Sequence, residues 1–162
     1  MFAGEAAGGG MIEVRVKDLA FDMAKNGATV LLEDLRGESQ LPIWIGLFEA
    51  KAIALELQQI RPYRPMTHDL ISNIFRELHA TITKIVITDL KDNVYYALIH
   101  ASNSQGQITI DSRPSDAIAV ALRVNSPIFV EEQVMAKAGG SEVNEEEDDE
   151  RTKKFMDWID NL

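Results

Sequence analysis

The sequence predicts an α+β fold, built from pseudo-duplicated β-β-β-α units that form a mostly antiparallel sheet packed against helices. Three observations predict it. Apolar residues alternate over short stretches that are separated by turn residues, helical spacing takes over after the third and sixth of those stretches, and the two halves align at a constant offset of 65 residues. Ile43-Trp44-Ile45 falls on Ile108-Thr109-Ile110, and Ala52-Ile53-Ala54 falls on Ala117-Ile118-Ala119. The consequence is that the strand-to-helix corners near Gly46–Glu49 and Asp111–Asp116 take comparable positions.

Residues 1–10, MFAGEAAGGG, are too small and glycine-rich to bury apolar surface and read as a disordered lead, with the fold starting at Met11. From Ile12 to Met23 apolar residues alternate with a phase slip near Asp18, the mark of a bulged strand. Asn26-Gly27 signals a tight hairpin, and Ala28 to Glu33 returns. Leu41 to Ile45 supplies a third strand, and Gly46 opens a helix of about Leu47 to Gln59, with Phe48, Ala52 and Leu55 on its buried stripe. Arg61-Pro62-Tyr63-Arg64-Pro65 stops that helix, because each proline lacks an N–H and restricts the residue before it.

Thr67 caps a second helix, about His68 to His79, whose expected core face is Leu70, Ile71, Ile74, Phe75 and Leu78. Thr81 to Thr88 and Val94 to Ala101 form a second hairpin around Asp92-Asn93, and Gln107 to Asp111 follows as a strand. Pro114 suits the first turn of the next helix, which continues through Ser115 to Arg123 until Pro127 ends it. Ile128 to Val130 is expected as a final edge strand, and Glu131 to Ala138 as a short helix. Residues 139–151 read as an acidic flexible linker. Behind it, residues 152–162 place Phe155, Trp158, Ile159 and Leu162 at helical spacing, a stripe too short to stand alone, which must dock on its own domain or on a second copy in a homodimer.

Composition bounds the function. At 162 residues and 46% hydrophobic content the chain can build one continuous core, and it has no cysteine for disulfides, thiolate clusters or thiol nucleophiles. No apolar run reaches the ~20 residues of a membrane-spanning helix, and the N-terminus lacks a secretory pattern, so a cytoplasmic location is expected. The net charge is −10, but Glu142, Glu145, Glu146, Glu147, Asp148, Asp149 and Glu150 carry seven of those charges, which leaves −3 on the rest. A nearly neutral body can carry a local basic patch. There is no HExxH, P-loop, strand-linked GxGxxG or GxSxG.

Two polar clusters sit at element boundaries. Arg61 to Asp69 offers guanidinium groups for phosphate in Arg61 and Arg64, a proton carrier in His68 and a hard-metal ligand in Asp69. Asp111-Ser-Arg-Pro-Ser-Asp116 offers Arg113 and Ser115 for phosphate and Asp116 for proton transfer or metal, and Glu49 can join either cluster. Glu49, Asp69 and Asp116 are the candidate ligands for Mg²⁺ or Mn²⁺, and His68, Asp69 and Asp116 the candidate catalytic set. The same residues also suit plain structural roles: Thr67, Asp69 and Asp116 favour helix starts, and Arg113 can pair with Asp111. His79 near a helix end suits its terminal carbonyls, and His100 suits a half-buried strand position.

Leu41-Pro-Ile-Trp-Ile-Gly46 with Glu49-Ala50, Arg64-Pro-Met-Thr-His-Asp-Leu70 and Asp111-Ser-Arg-Pro-Ser-Asp-Ala-Ile118 together resemble the bifunctional nuclease family, over about Ile12 to Ala138. The resemblance implies a small α+β nuclease domain of bacteria and plants that cuts phosphodiester bonds of DNA and RNA with a divalent cation. It brings no settled catalytic set, so Glu49, Arg64, His68, Asp69, Arg113 and Asp116 stand as candidates by their chemistry. The alternative is a non-catalytic module in which the same arginines hold an anionic ligand or a partner's acidic segment.

Overall fold

Alternating apolar side chains fold the first three stretches into a meander of β1 (Met11–Asp22), β2 (Gly27–Asp34) and β3 (Gln40–Gly46), with β1 and β3 both antiparallel to β2. The computed structural model describes residues 9–139 together with Lys153, Asp157 and Asp160, which are helical and exposed. The expected phase slip is a register shift between Val16 and Asp18. The first hairpin differs from the two-residue turn that Asn26-Gly27 suggests. Asp22 pairs with Gly27, so the loop has four residues, and only Asn26 takes a positive φ, of 55°. Gly27 is needed for space instead, since a Cβ there would run into the Trp44 indole on the neighbouring strand.

Helix α1 (Leu47–Leu57) follows directly, and Ala50, Ala52, Ile53, Ala54 and Leu55 are buried. Phe48, expected on the buried stripe, is 81% exposed at the helix start. The proline connector leads to α2 (Thr67–Glu77), where Thr67 is the first helical residue and not the cap; Asp69 accepts the Met66 backbone N–H at 2.8 Å, which satisfies one of the donors at that end. The expected core face of α2 is only half present. Ile71 and Phe75 pack on the core, while Leu70, Ile74 and Leu78 are exposed, because α2 meets the body along one edge, mainly at the third large helix. His79 follows with φ 54°, as the left-handed residue that turns the chain out of the helix.

The pattern then repeats as β4 (Thr81–Lys91), β5 (Val94–Asn103), β6 (Gly106–Ser112) and α3 (Pro114–Val124). Here Asp92 and Asn93 both take positive φ, the two-residue turn that suits a twisted hairpin. Asn125, left-handed at φ 53°, ends α3 before Pro127 is reached. The duplication is real in topology. α1 and α3 each have 11 residues and start at Leu47 and Pro114, which makes Glu49 and Asp116 the third residue of each.

β7 (Ile128–Glu131) overturns the expectation of an edge strand. The sheet order is β3-β2-β1-β7-β4-β5-β6, with β7 antiparallel to β1 and parallel to β4. Both of its sides are paired, and Val130 is fully buried. The short α4 (Glu132–Ala138) closes the described domain, with Val134 in the core. α1 and α3 pack against each other, α1 over the first meander and α3 over β4 and β5. That contact sets the two corners beside one another. Among the described residues no helix is long and apolar enough to cross a membrane. The acidic stretch and the apolar stripe at Phe155, Trp158, Ile159 and Leu162 lie outside the described residues, as do residues 1–8.

Candidate functional site

Helix starts place the polar groups. Glu49 and Asp116 are the third residues of α1 and α3, where a carboxylate complements the positive helix end, and His68 is the second residue of α2. Arg113 stands just before α3, and Pro114 at the first helical position holds the chain in helical φ without wasting an N–H. Gly46 leaves room for Glu49 to fold back, since a Cβ there would meet its carboxylate.

These four side chains form one connected row. His68 Nε2 lies 2.8 Å from Asp116 Oδ1, Arg113 Nε donates to Asp116 Oδ2 at 2.7 Å, and Arg113 Nη1 donates to Glu49 Oε1 at 3.0 Å. Three elements and both corners meet here, although 64 residues separate Glu49 from Arg113. Burial pushes the Asp116 carboxyl upward, but the hydrogen bonds from Arg113 and His68 outweigh it and hold the group below the ordinary carboxylate value. Asp116 is therefore an acceptor at neutral pH, and the proton between it and His68 sits on Nε2. Asp116 in turn stabilises the charged form of Arg113, whose pKa it raises.

The row lines a cavity of about 230 Å³, with Phe48 and Met66 among its apolar walls. His68 is 11% exposed and Arg113 is 64% exposed, so the imidazole is held in the wall while the guanidinium reaches solvent. A guanidinium carries five N–H donors, and two are used by Asp116 and Glu49. The remaining donors suit a phosphate.

Asp69 does not join that row. Its Oδ1 accepts from Arg123 Nε at 2.7 Å and its Oδ2 takes the Met66 N–H. Burial raises the Asp69 carboxyl, and Met66 and Arg123 more than offset this, so its pKa also falls. Arg123, only 4% exposed, further donates to the backbone oxygens of Ala52 and Ala119 at 3.0 and 2.8 Å, and thereby ties α1, α2 and α3 together. This residue is absent from the sequence-based candidates. Its one visible signal is a lone cation in the last turn of an otherwise apolar helix.

The other candidates scatter. Arg61 lines a wider groove on the far side of Arg123, Arg64 is exposed on the connector and walls neither cavity, and Ser115 is buried in the first turn of α3. Arg113 pairs with Asp116 and Glu49 in place of the expected Asp111. The three carboxylates expected to share a cation are split, Glu49 and Asp116 in the small cavity and Asp69 on Arg123. Among the described residues no group of three or more His, Asp or Glu is arranged to hold a metal ion. Each of these carboxylates is hydrogen-bonded to a guanidinium, Glu49 and Asp116 to Arg113 and Asp69 to Arg123.

A family model described as the bifunctional nuclease domain matches residues 30–142, which includes every residue of the row and of the Arg123 knot. A protein of Mycobacterium tuberculosis described as uncharacterized is 41% identical over 161 residues, covering 94% of this chain and 95% of its own length. Bifunctional nuclease 1 of Oryza sativa subsp. indica is 26% identical over 121 residues, which is 73% of this chain and 37% of the rice protein.

Proposed function

The chain belongs to the bifunctional nuclease domain family, and from that premise we propose that it hydrolyses phosphodiester bonds of DNA and RNA at the corner where α1, α2 and α3 begin. The observation that carries the proposal is the 2.8 Å contact between His68 and Asp116 beside the solvent-facing Arg113. Asp116 accepts the Nε2 proton and fixes the ring, which leaves Nδ1 to take a proton from an attacking water and to return it to the departing ester oxygen as the P–O bond breaks. The unused donors of Arg113 would bind the phosphate and offset the charge that builds on its oxygens. Glu49 holds the other side of Arg113 and so sets the plane of the fork. His68 and Asp116 are thus the catalytic pair, Arg113 the phosphate ligand and Glu49 a positioning residue.

Cleavage of single-stranded DNA, duplex DNA and RNA by the full chain tests this, each with EDTA, Mg²⁺ or Mn²⁺ so that any metal dependence is read directly. His68→Ala and Asp116→Asn should each slow cleavage by about 10²-fold or more. Unchanged rates in both variants would sink the proposal. A second reading draws on the same row, because every carboxylate in it is already paired with a cation: a non-catalytic module in which Arg113 holds an anionic ligand or an acidic segment. Anion binding that depends on Arg113, without cleavage under any of these conditions, would favour it.

A further inference from the structure

The connector between α1 and α2 builds a second surface that the row does not use. A groove of about 890 Å³ runs along it, lined by Arg61 and Tyr63 from the connector, Arg76 from α2, and the knot of Arg123 with Glu56 and Asp69. The groove adjoins the small cavity, since Arg123 lines both. Its two carboxylates are turned onto Arg123, with Asp69 at 2.7 Å and Glu56 at 3.9 Å. One guanidinium shared by two carboxylates leaves that knot at −1, so Arg61 and Arg76 bring the groove lining to a net +1. Among the described residues the Arg76 side chain pairs with the neighbouring Glu77, at 3.6 Å between two exposed side chains, a contact that holds it weakly.

Tyr63 is 100% exposed. It sits between Pro62 and Pro65, which restrict the backbone on either side, so the loop that carries its ring has little backbone freedom left to lose on binding. An aromatic face flanked by guanidinium groups along a groove is the recognition chemistry of an unpaired strand: bases stack on the ring and phosphates meet the cations. A duplex keeps its base faces hidden and gains nothing from the ring.

We propose that this groove is a track for single-stranded nucleic acid, in which a base stacks on Tyr63 and backbone phosphates meet Arg61 and Arg76. The proposal deepens the nuclease reading by naming its preferred substrate form, and rests on it only for what happens at the adjoining corner. The track lies across the buried Arg123 from His68 and Asp116, and makes Tyr63 a determinant of strand preference.

Fluorescence anisotropy in EDTA, with a labelled 12-nucleotide single strand and the matching 12-base-pair duplex, tests it on the full chain. Wild type should bind the single strand more tightly than the duplex. Tyr63→Ala should weaken single-strand binding by about tenfold, the worth of one base stack, while Tyr63→Phe keeps it. Arg61→Gln with Arg76→Gln should lower the slope of log affinity against log salt by about 1.4, two phosphate contacts at ~0.7 each. Equal duplex and single-strand affinity, or a Tyr63→Ala change within twofold, would overturn the track. Tyr63-dependent strand binding supports it whether or not the protein cleaves, whereas failure of the nuclease reading shows only in the cleavage rates of the His68 and Asp116 variants.

Discussion

Glu33 shows how much one residue can decide outside the site. It is buried on β2, and Arg15 and Lys17 from β1 close on it at 3.0 Å while Gln40 from β3 donates at 3.1 Å. The hydrogen bond from Lys17, then those from Arg15 and Gln40, lower its pKa from the ordinary 4.5 to about 2. A carboxylate with a depressed folded value contributes stability that is full above its unfolded pKa and is lost as pH falls toward the folded one. Wild type should therefore lose stability between about pH 4.5 and 2, and Glu33→Gln should flatten that part of the profile. Urea midpoints between pH 7 and pH 3 measure it, and parallel profiles would refute the assignment. At this scale the sequence was partly legible. His68 and Asp116 stand out at helix starts in polar company, and the fold brings them together, whereas Arg123 does not stand out, because nothing in a linear pattern says that a cation at the end of α3 meets Asp69 from another helix.

Elements were easier to find than to place. The bounds of the strands and large helices follow their apolar spacing to within one to three residues, since spacing and turn residues are local properties. Burial of a whole face is not local. α2 has the apolar stripe of a core helix, yet Leu70, Ile74 and Leu78 face outward. β7 has only four residues and comes last among the strands, both signs of an edge, yet it is paired on each side. Two substitutions separate these roles. Val130→Ala on β7 should cost about 2 kcal/mol, the transfer of two buried methyl groups and the space they leave. Leu78→Ser, just after α2, should stay within about 0.5 kcal/mol. Denaturant midpoints compare them, and a larger loss at Leu78 would show that the outer face of α2 is covered in solution.

For the whole molecule, the repeat explains why the site lies where it does. Glu49 and Asp116 occupy matching positions in the two large helices, and Arg113 binds both. The repeat is legible in the sequence at an offset of 65, but that offset does not pair the two acids, whose matching place as third residues of their helices appears only in the fold. β7, lying between the halves, also sets an order of events during synthesis. Met11 pairs with Glu131, so β1 waits for β7 before its inner edge is filled. The nascent chain must carry two unfinished half-sheets until residue 131 clears the exit tunnel, and only then can the keystone drop between them. A chain stalled before Ile128 should accordingly be cut readily by protease, and early resistance would mean that the halves join without it.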